Sequence, residues 1–166
     1  KLFKINKHIF LLDYYGKFKL AKNFLIYDHQ RVSSNRKYIG LKYSIINPNI
    51  KKIKNNCEIK TINNKILISI GGADIKNQTY QIAFILSKLG YDLTIVLGPL
   101  SKQKKIDLPR TKIFNNPKNF MKILNSHKYI FCNGGTTLIE SLILNKSVFA
   151  VPQNSHEFRF CKYLYK

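Results

Sequence analysis

The chain has 166 residues, 45% of them hydrophobic, and a formal charge of +21. That length suits one domain or two halves of a larger module, and that apolar content excludes wholesale disorder. No apolar run approaches the roughly 18 residues of a membrane span, and no basic-then-apolar leader is read at the start.

In chain order, His8–Asp13 (HIFLLD) and Asn23–Asp28 (NFLIYD) read as short buried strands closed by a carboxylate, with a basic stretch around Gly16 between them. Tyr38–Pro48 is hydrophobic, contains Gly40 and closes with an Asn47–Pro48 turn. Lys51–Asn64 is polar and basic, with Cys57 and isolated isoleucines, and is the candidate linker. A regular alternation follows. Ile66–Ile70 is a β-branched strand ending at Gly71–Gly72. Asn77 is the expected N-cap of a helix with Ile82, Ala83, Ile85, Leu86 and Leu89 on one face and Gly90 as its stop. Leu93–Leu97 is the next strand, closed by Gly98–Pro99, and Ile113–Phe114 is a short one. Asn116–Pro117 reads as N-cap and first helical residue of a helix that buries Phe120, Ile123 and Leu124. Tyr129–Cys132 is a strand leading to Asn133-Gly134-Gly135, then a helix over Thr137–Ile143 stopped by Asn145. Ser147–Val151 is the last strand; the last helix starts near Asn154 with Phe158, Cys161 and Leu164 or Tyr165 inward. Continuously apolar strands alternating with helices predict an α/β fold with a Rossmann-like parallel sheet covered on both faces.

Only Arg31, Arg36, Arg110 and Arg159 are arginines among 29 basic residues. The positive excess would attract nucleic acid, anionic lipid or a phosphorylated ligand. Lys, Asn and Ile also share A/T-rich codons, so a biased genome gives this profile without selection. Nucleic-acid readers add arginines for bidentate contacts or a recognisable motif; neither is found, and no nucleic-acid partner is expected. The cysteines Cys57, Cys132 and Cys161 are too few and too scattered for a disulfide scaffold or a CxxC zinc site. They read as free thiols of a reducing cytoplasm, with Cys132 and Cys161 in the core.

Two glycine pairs, Gly71–Gly72 and Gly134–Gly135, end predicted strands and lead into helices. Ligands of open α/β sheets bind at this edge, and a helix N-terminus offers unpaired N–H groups to phosphate. Neither pair is a GxxxxGK[ST] loop or a GxGxxG fingerprint, so tight turns alone remain an equal reading. Thr137-Leu138-Ile139-Glu140 fits a capping box, so Glu140 either holds the helix start or hydrogen-bonds a ribose hydroxyl. Thr136 and Thr137 either cap the helix or meet a phosphate oxygen, with capping favoured for Thr137. Gln153-Asn154-Ser155-His156-Glu157 crowds polar side chains onto the same edge, where Asn154 and Glu157 also form a possible capping pair. His156 stands as a solvent-exposed residue or a substrate contact; no second His or Cys lies at metal-ligand spacing. Asp74 reads as a turn residue, as do Asp13 and Asp28. His8, His29, His127 and His156 are single and unsupported, and no GxSxG elbow or other nucleophile signature is present.

Three segments in order, Tyr38–Ile50 (YIGLKYSIINPNI), Ile66–Thr79 (ILISIGGADIKNQT) and Phe131–Glu157 (FCNGGTTLIESLILNKSVFAVPQNSHE), resemble the UDP-sugar hydrolase family of pseudaminic acid biosynthesis. Its members hydrolyse UDP-2,4-diacetamido-2,4,6-trideoxy-β-L-altropyranose and release UDP. The wider group includes spore-coat polysaccharide proteins and is similar in fold to the peptidoglycan N-acetylglucosaminyl transferase. The resemblance implies the GT-B fold: residues 1–55 as the end of an N-terminal Rossmann-like domain, 56–64 as linker, and 65–166 as the C-terminal nucleotide-binding domain. It also implies a UDP-sugar ligand and no cofactor or metal. Gly71, Gly72, Gly134, Gly135, Thr136 and Thr137 would approach the diphosphate and Glu140 the ribose. Asn77, Gln153, Asn154, His156 and Glu157 would face the sugar or diphosphate. The family's GxGHxxR loop, whose histidine is the catalytic base, has no counterpart here, so no catalytic residue is assigned and the chain reads as a fragment. A glycosyltransferase of the same fold, using an acceptor hydroxyl in place of water, is the alternative.

Overall fold

The computed structural model describes residues 10–12, 23–26, 38–39, 41, 44–55, 62–101 and 106–165. His8, Asp13, Gly16, Asp28, His29, Arg31, Arg36, Gly40, Cys57 and most of the expected linker lie outside them. The chain divides into two compact units, Lys1–Ile45 and Ile46–Lys166.

In the first unit, β1 (Phe10–Leu12), β2 (Asn23–Ile26) and β3 (Tyr38–Ile39) form a parallel sheet in the order β1-β2-β3. The two apolar runs read as strands lie on neighbouring strands of this sheet.

The second unit holds α1 (Ile50–Asn55), β4 (Ile62–Ser69), α2 (Gln78–Lys88), β5 (Asp92–Leu97), β6 (Thr111–Asn115), α3 (Phe120–Asn125), β7 (His127–Cys132), α4 (Thr136–Ile143), β8 (Ser147–Ala150) and α5 (Ser155–Leu164). The five strands are all parallel and run in the order β6-β5-β4-β7-β8. The chain therefore winds outward from β4 to β6, crosses back, and winds outward again from β7. The strand order reverses between β4 and β7, which opens a crevice beyond their carboxyl ends.

Alternation along β4 explains its unbroken apolar sequence. Ile66, Ile68 and Ile70 join Leu93, Ile95 and Leu97 of β5 in one core cluster with Ala83 of α2. Leu67 points to the opposite face and is equally buried. A strand covered on both faces needs apolar residues at every position. Ile50 of α1 is also buried, and α1 packs on α3 and α4. Residues 46–55, expected at the end of the first domain, thus belong to the second unit, and β4 already begins within the expected linker.

Several helix expectations are corrected. Asn77 does precede α2, but in a left-handed conformation (φ 53) and with no side-chain cap. Asp74 caps instead, accepting the N–H groups of Gln78 and Thr79 at 2.9 Å each. The buried face of α2 carries Thr79 and Ala83, while Ile85 and Leu89 are exposed, because its aliphatic residues outnumber the positions facing the sheet. The α3 helix starts at Phe120, after Asn119. Asn116 lies in the left-handed region and donates its N–H to Leu97, so it continues the turn out of β6 rather than capping. On α5, Phe160 faces inward while Phe158 and Tyr165 are exposed. The expected stops hold. Gly90 (φ 81) and Asn145 (φ 57) each take the left-handed position after a helix. Tyr91 N–H then bonds Leu86 and Lys146 N–H bonds Ser141, the Schellman pattern.

Candidate functional site at the strand-order reversal

Both glycine pairs reach the same crevice. Gly71, at φ 70, follows β4, and a side chain there would lie 3.0 Å from Asn133 Nδ2 on the turn after β7. Gly98, at the end of β5, packs against the first pair so closely that a Cβ would sit 2.5 Å from Gly71 O and Gly72 Cα. Gly72 is exposed, and its carbonyl accepts Leu100 N–H at 2.9 Å.

The second pair is built around Glu157. One carboxylate oxygen accepts Gly134 N–H at 3.2 Å and Gln153 N–H at 2.8 Å; the other accepts Asn133 Nδ2 at 3.1 Å. Asn154 caps α5 by accepting Glu157 N–H at 2.9 Å. The N-x-x-E pair is therefore a cap, and the Glu157 carboxylate also ties the β7–α4 turn to the segment after β8. Gly134 is required by packing: a Cβ would meet Glu157 Cβ at 2.8 Å and Cys161 Sγ at 2.9 Å. Gln153 closes the other side, its amide hydrogen-bonding Gln78 at the start of α2. Gln78 and Asn133 thus join the site beside the residues that the motifs mark. The only sequence signal for either was adjacency, Gln78 beside the Asp74 cap and Asn133 beside a glycine pair.

The helix that follows is different. Gly135 is the N-cap of α4, in extended conformation, with no side-chain cap and no acidic residue in the first turn. Thr136 is exposed and Thr137 half-buried, at the first two helical positions. The capping box expected at Thr137–Glu140 does not form, because the N-cap is Gly135, two residues before Thr137, which places Glu140 a full turn inside the helix. There Glu140 is 6% exposed, and its Oε1 accepts Asn47 N–H at 2.8 Å. Burial pushes its pKa up, against the opposing pull of that hydrogen bond. Asn47 in turn holds Asn49 N–H through its own side chain at 2.9 Å. Glu140 thus anchors the turn that leads into α1. His156 sits half-buried in the first turn of α5, and Asn77 is exposed beside the first glycine turn.

His127 is a core residue. Its Nδ1 lies 2.7 Å from Ile123 O and its Nε2 2.9 Å from Thr94 Oγ1. Burial lowers its pKa. Cys132 is fully buried, and its thiol is pushed up to about 12, which suppresses the reactive thiolate. Among the described residues no group of His, Cys, Asp or Glu could hold a metal ion. None of their helices is long and apolar enough to cross a membrane.

A five-stranded parallel sheet ordered 3-2-1-4-5 with its ligand-side crevice at the reversal defines a Rossmann-like α/β fold of the kind found in GT-B domains. Among solved structures, MurG of Acinetobacter baumannii has this fold at 18% identity and TM-score 0.55, over 89% of this chain and 45% of its own. The glycosyltransferase SnogD of Streptomyces nogalater aligns at 15% identity over 80% of this chain and 36% of its own, TM-score 0.49. The beta Kdo 2,4 transferase KpsC of Thermosulfurimonas dismutans aligns at 13% identity over 61% and 41%, TM-score 0.43. The chain spans less than half the length of each. No family model and no curated protein matches it.

Proposed function

We propose that the second unit binds the diphosphate of a nucleotide-sugar at the start of α4 and serves glycosyl transfer to an acceptor. One observation carries this. Of the helix starts flanking the crevice, α2 is filled by the Asp74 carboxylate and α5 is capped by Asn154, while α4 has no side-chain cap. A helix start with unfilled N–H groups and the positive end of its dipole suits a phosphate. Gly135, Thr136 and Thr137 then contact the diphosphate, with Gly71 and Gly72 across the crevice. Gln153, His156 and Asn77 flank the sugar, and Glu157 and Asn154 hold the loop in shape. Glu140 meets the ribose only if it shares its carboxylate with Asn47. The GT-B-type fold favours transfer; the three ordered motifs favour a second reading, hydrolysis of a UDP-sugar with release of UDP. In both, fixed N–H donors stabilise the departing diphosphate.

Thr136→Pro is the test. Proline is tolerated at a first helical position and removes one N–H donor. Titration calorimetry with UDP, CMP and GDP is expected to show selective UDP binding, weakened about tenfold in the variant, as for one charge-assisted hydrogen bond. Unchanged UDP affinity in a variant with native circular dichroism refutes the α4 site. UDP release without acceptor separates hydrolysis from transfer.

A further inference from the structure

At the opposite edge, where the strands begin, the sheet carries a concavity of 460 Å³ walled by Lys65, Asp92, Thr94, Arg110, Thr111 and Lys112. The register explains why these residues meet. Lys65 pairs with Asp92 across β4 and β5, and Thr94 pairs with Lys112 across β5 and β6. Residues two apart on a strand share a face, so Lys65, Asp92, Thr94 and Lys112 lie on one face, while Thr111, paired with Leu93, lies on the other. Arg110, just before β6, has φ 56. A left-handed backbone is uncommon for so bulky a residue, and such strain clusters at functional sites. In that conformation its carbonyl accepts Leu93 N–H at 3.0 Å and its Nε donates to Asp92 at 2.6 Å.

The charges of this wall do not cancel. Asp92 is matched by Arg110, which holds its carboxyl below the usual carboxylate range. Lys65 and Lys112 then add two positive charges, and among the described residues no second carboxylate lines the concavity. The Lys112 ammonium rests 5.0 Å from the centre of the Phe114 ring, two residues further along β6, and an anion in the concavity would draw it back toward the strand start. The excess reaches the core behind: His127, bonded to Thr94, is held down first by burial and further by the charges of Lys65 and Lys146.

We infer that this concavity is a second anion site, taking a small, multiply charged phosphate compound at the edge remote from the glycine turns. The Lys65 and Lys112 ammonium groups and the remaining guanidinium N–H groups match phosphate oxygens, while the Thr94 hydroxyl is engaged with His127 and the Thr111 hydroxyl donates to Pro109. The volume falls in the range of small-ligand pockets, roughly 300–1,000 Å³, and admits a compact anion rather than a duplex.

The probe is inorganic pyrophosphate, titrated into the full chain and followed by amide NMR. Saturable shifts at Thr94, Arg110 and Thr111 are expected. Lys65→Gln/Lys112→Gln weakens that binding about tenfold or more, while Lys118→Gln/Lys122→Gln, removing equal charge from exposed positions, leaves it within about twofold. Lys112 is exposed, so Lys112→Gln alone supplies a folded variant if the double one melts early. Three results overturn the site: shifts spread over the lysines without saturation, equal weakening in both double variants, or tighter binding of a short single-stranded oligonucleotide than of pyrophosphate at these residues. Shifts confined to Thr136–Leu138 also overturn it and leave the α4 proposal standing.

Discussion

The two strand–Gly–Gly–helix turns look alike in sequence and differ in what fills them. After β4 the helix start is occupied by the chain's own carboxylate: Asp74 takes the N–H groups of Gln78 and Thr79. After β7 the carboxylate comes from α5 and binds behind the turn, at Gly134 and Asn133, leaving the start of α4 without a side-chain cap. The glycines differ too. Gly71 is needed for its positive φ, and Gly134 for the close approach of α5. One sequence pattern thus yields a self-capped turn and an open one, and the difference is made by Asp74 within the first and by Glu157, which comes to the second from α5.

The largest effect is expected where the first turn is supported. Gly98→Ala sets a methyl against the backbone of Gly71 and Gly72, which no rotamer change relieves. Urea denaturation should show a loss of about 3 kcal/mol, the upper part of the overpacking range. A loss below about 0.5 kcal/mol would mean the first turn is pliable.

Next in size is the anchor beneath α4. Glu140→Ala leaves Asn47 N–H without its acceptor and should cost about 2 kcal/mol. Glu140→Gln keeps an acceptor and removes a buried charge, so it should match or exceed the parent in stability at neutral pH. The sign follows from linkage: a carboxylate whose folded pKa is raised contributes stability below its unfolded value of 4.5, and that contribution is lost as pH rises through the folded pKa. If both variants keep parent stability but lose UDP binding, Glu140 acts on the ligand rather than on Asn47.

Asp74→Ala should cost about 1 kcal/mol, as for a lost helix cap. It should also convert the first turn into a copy of the second, with new pyrophosphate-induced shifts at the amides of Gln78 and Thr79. Their absence would show that an open helix start is not enough to bind phosphate here. The smallest effect is the pH response of His127. Its folded pKa lies below the unfolded 6.5, so the stability it contributes is present above 6.5 and lost as pH falls through the folded value. His127→Asn should flatten the denaturation midpoint across that window; an unchanged slope would place the titration elsewhere.

Much of the fold was legible because the second unit obeys local rules. Unbroken apolar runs give strands buried on both faces, and Gly90 and Asn145 stop their helices through backbone conformations those residues tolerate. The site was legible only in outline. Strand ends followed by glycine pairs mark the ligand-side edge, yet the assignment of side chains within it misread the Thr137–Glu140 box. Capping depends on where a helix starts, and a shift of two residues, from Thr137 to Gly135 as N-cap, carried Glu140 from the cap to a buried hydrogen bond with a residue 93 positions away.

By itself, then, the sequence determined the layers, the parallel sheet and the edge on which the glycine turns lie, because hydrophobic period and turn chemistry are properties of neighbouring residues. Only the tertiary structure decided which N–H groups are filled, which glycine is needed for packing, and that Lys65, Asp92 and Lys112 share one face. Those are matters of register and of crossing chains, where the partners are far apart in sequence and no local spacing encodes their meeting.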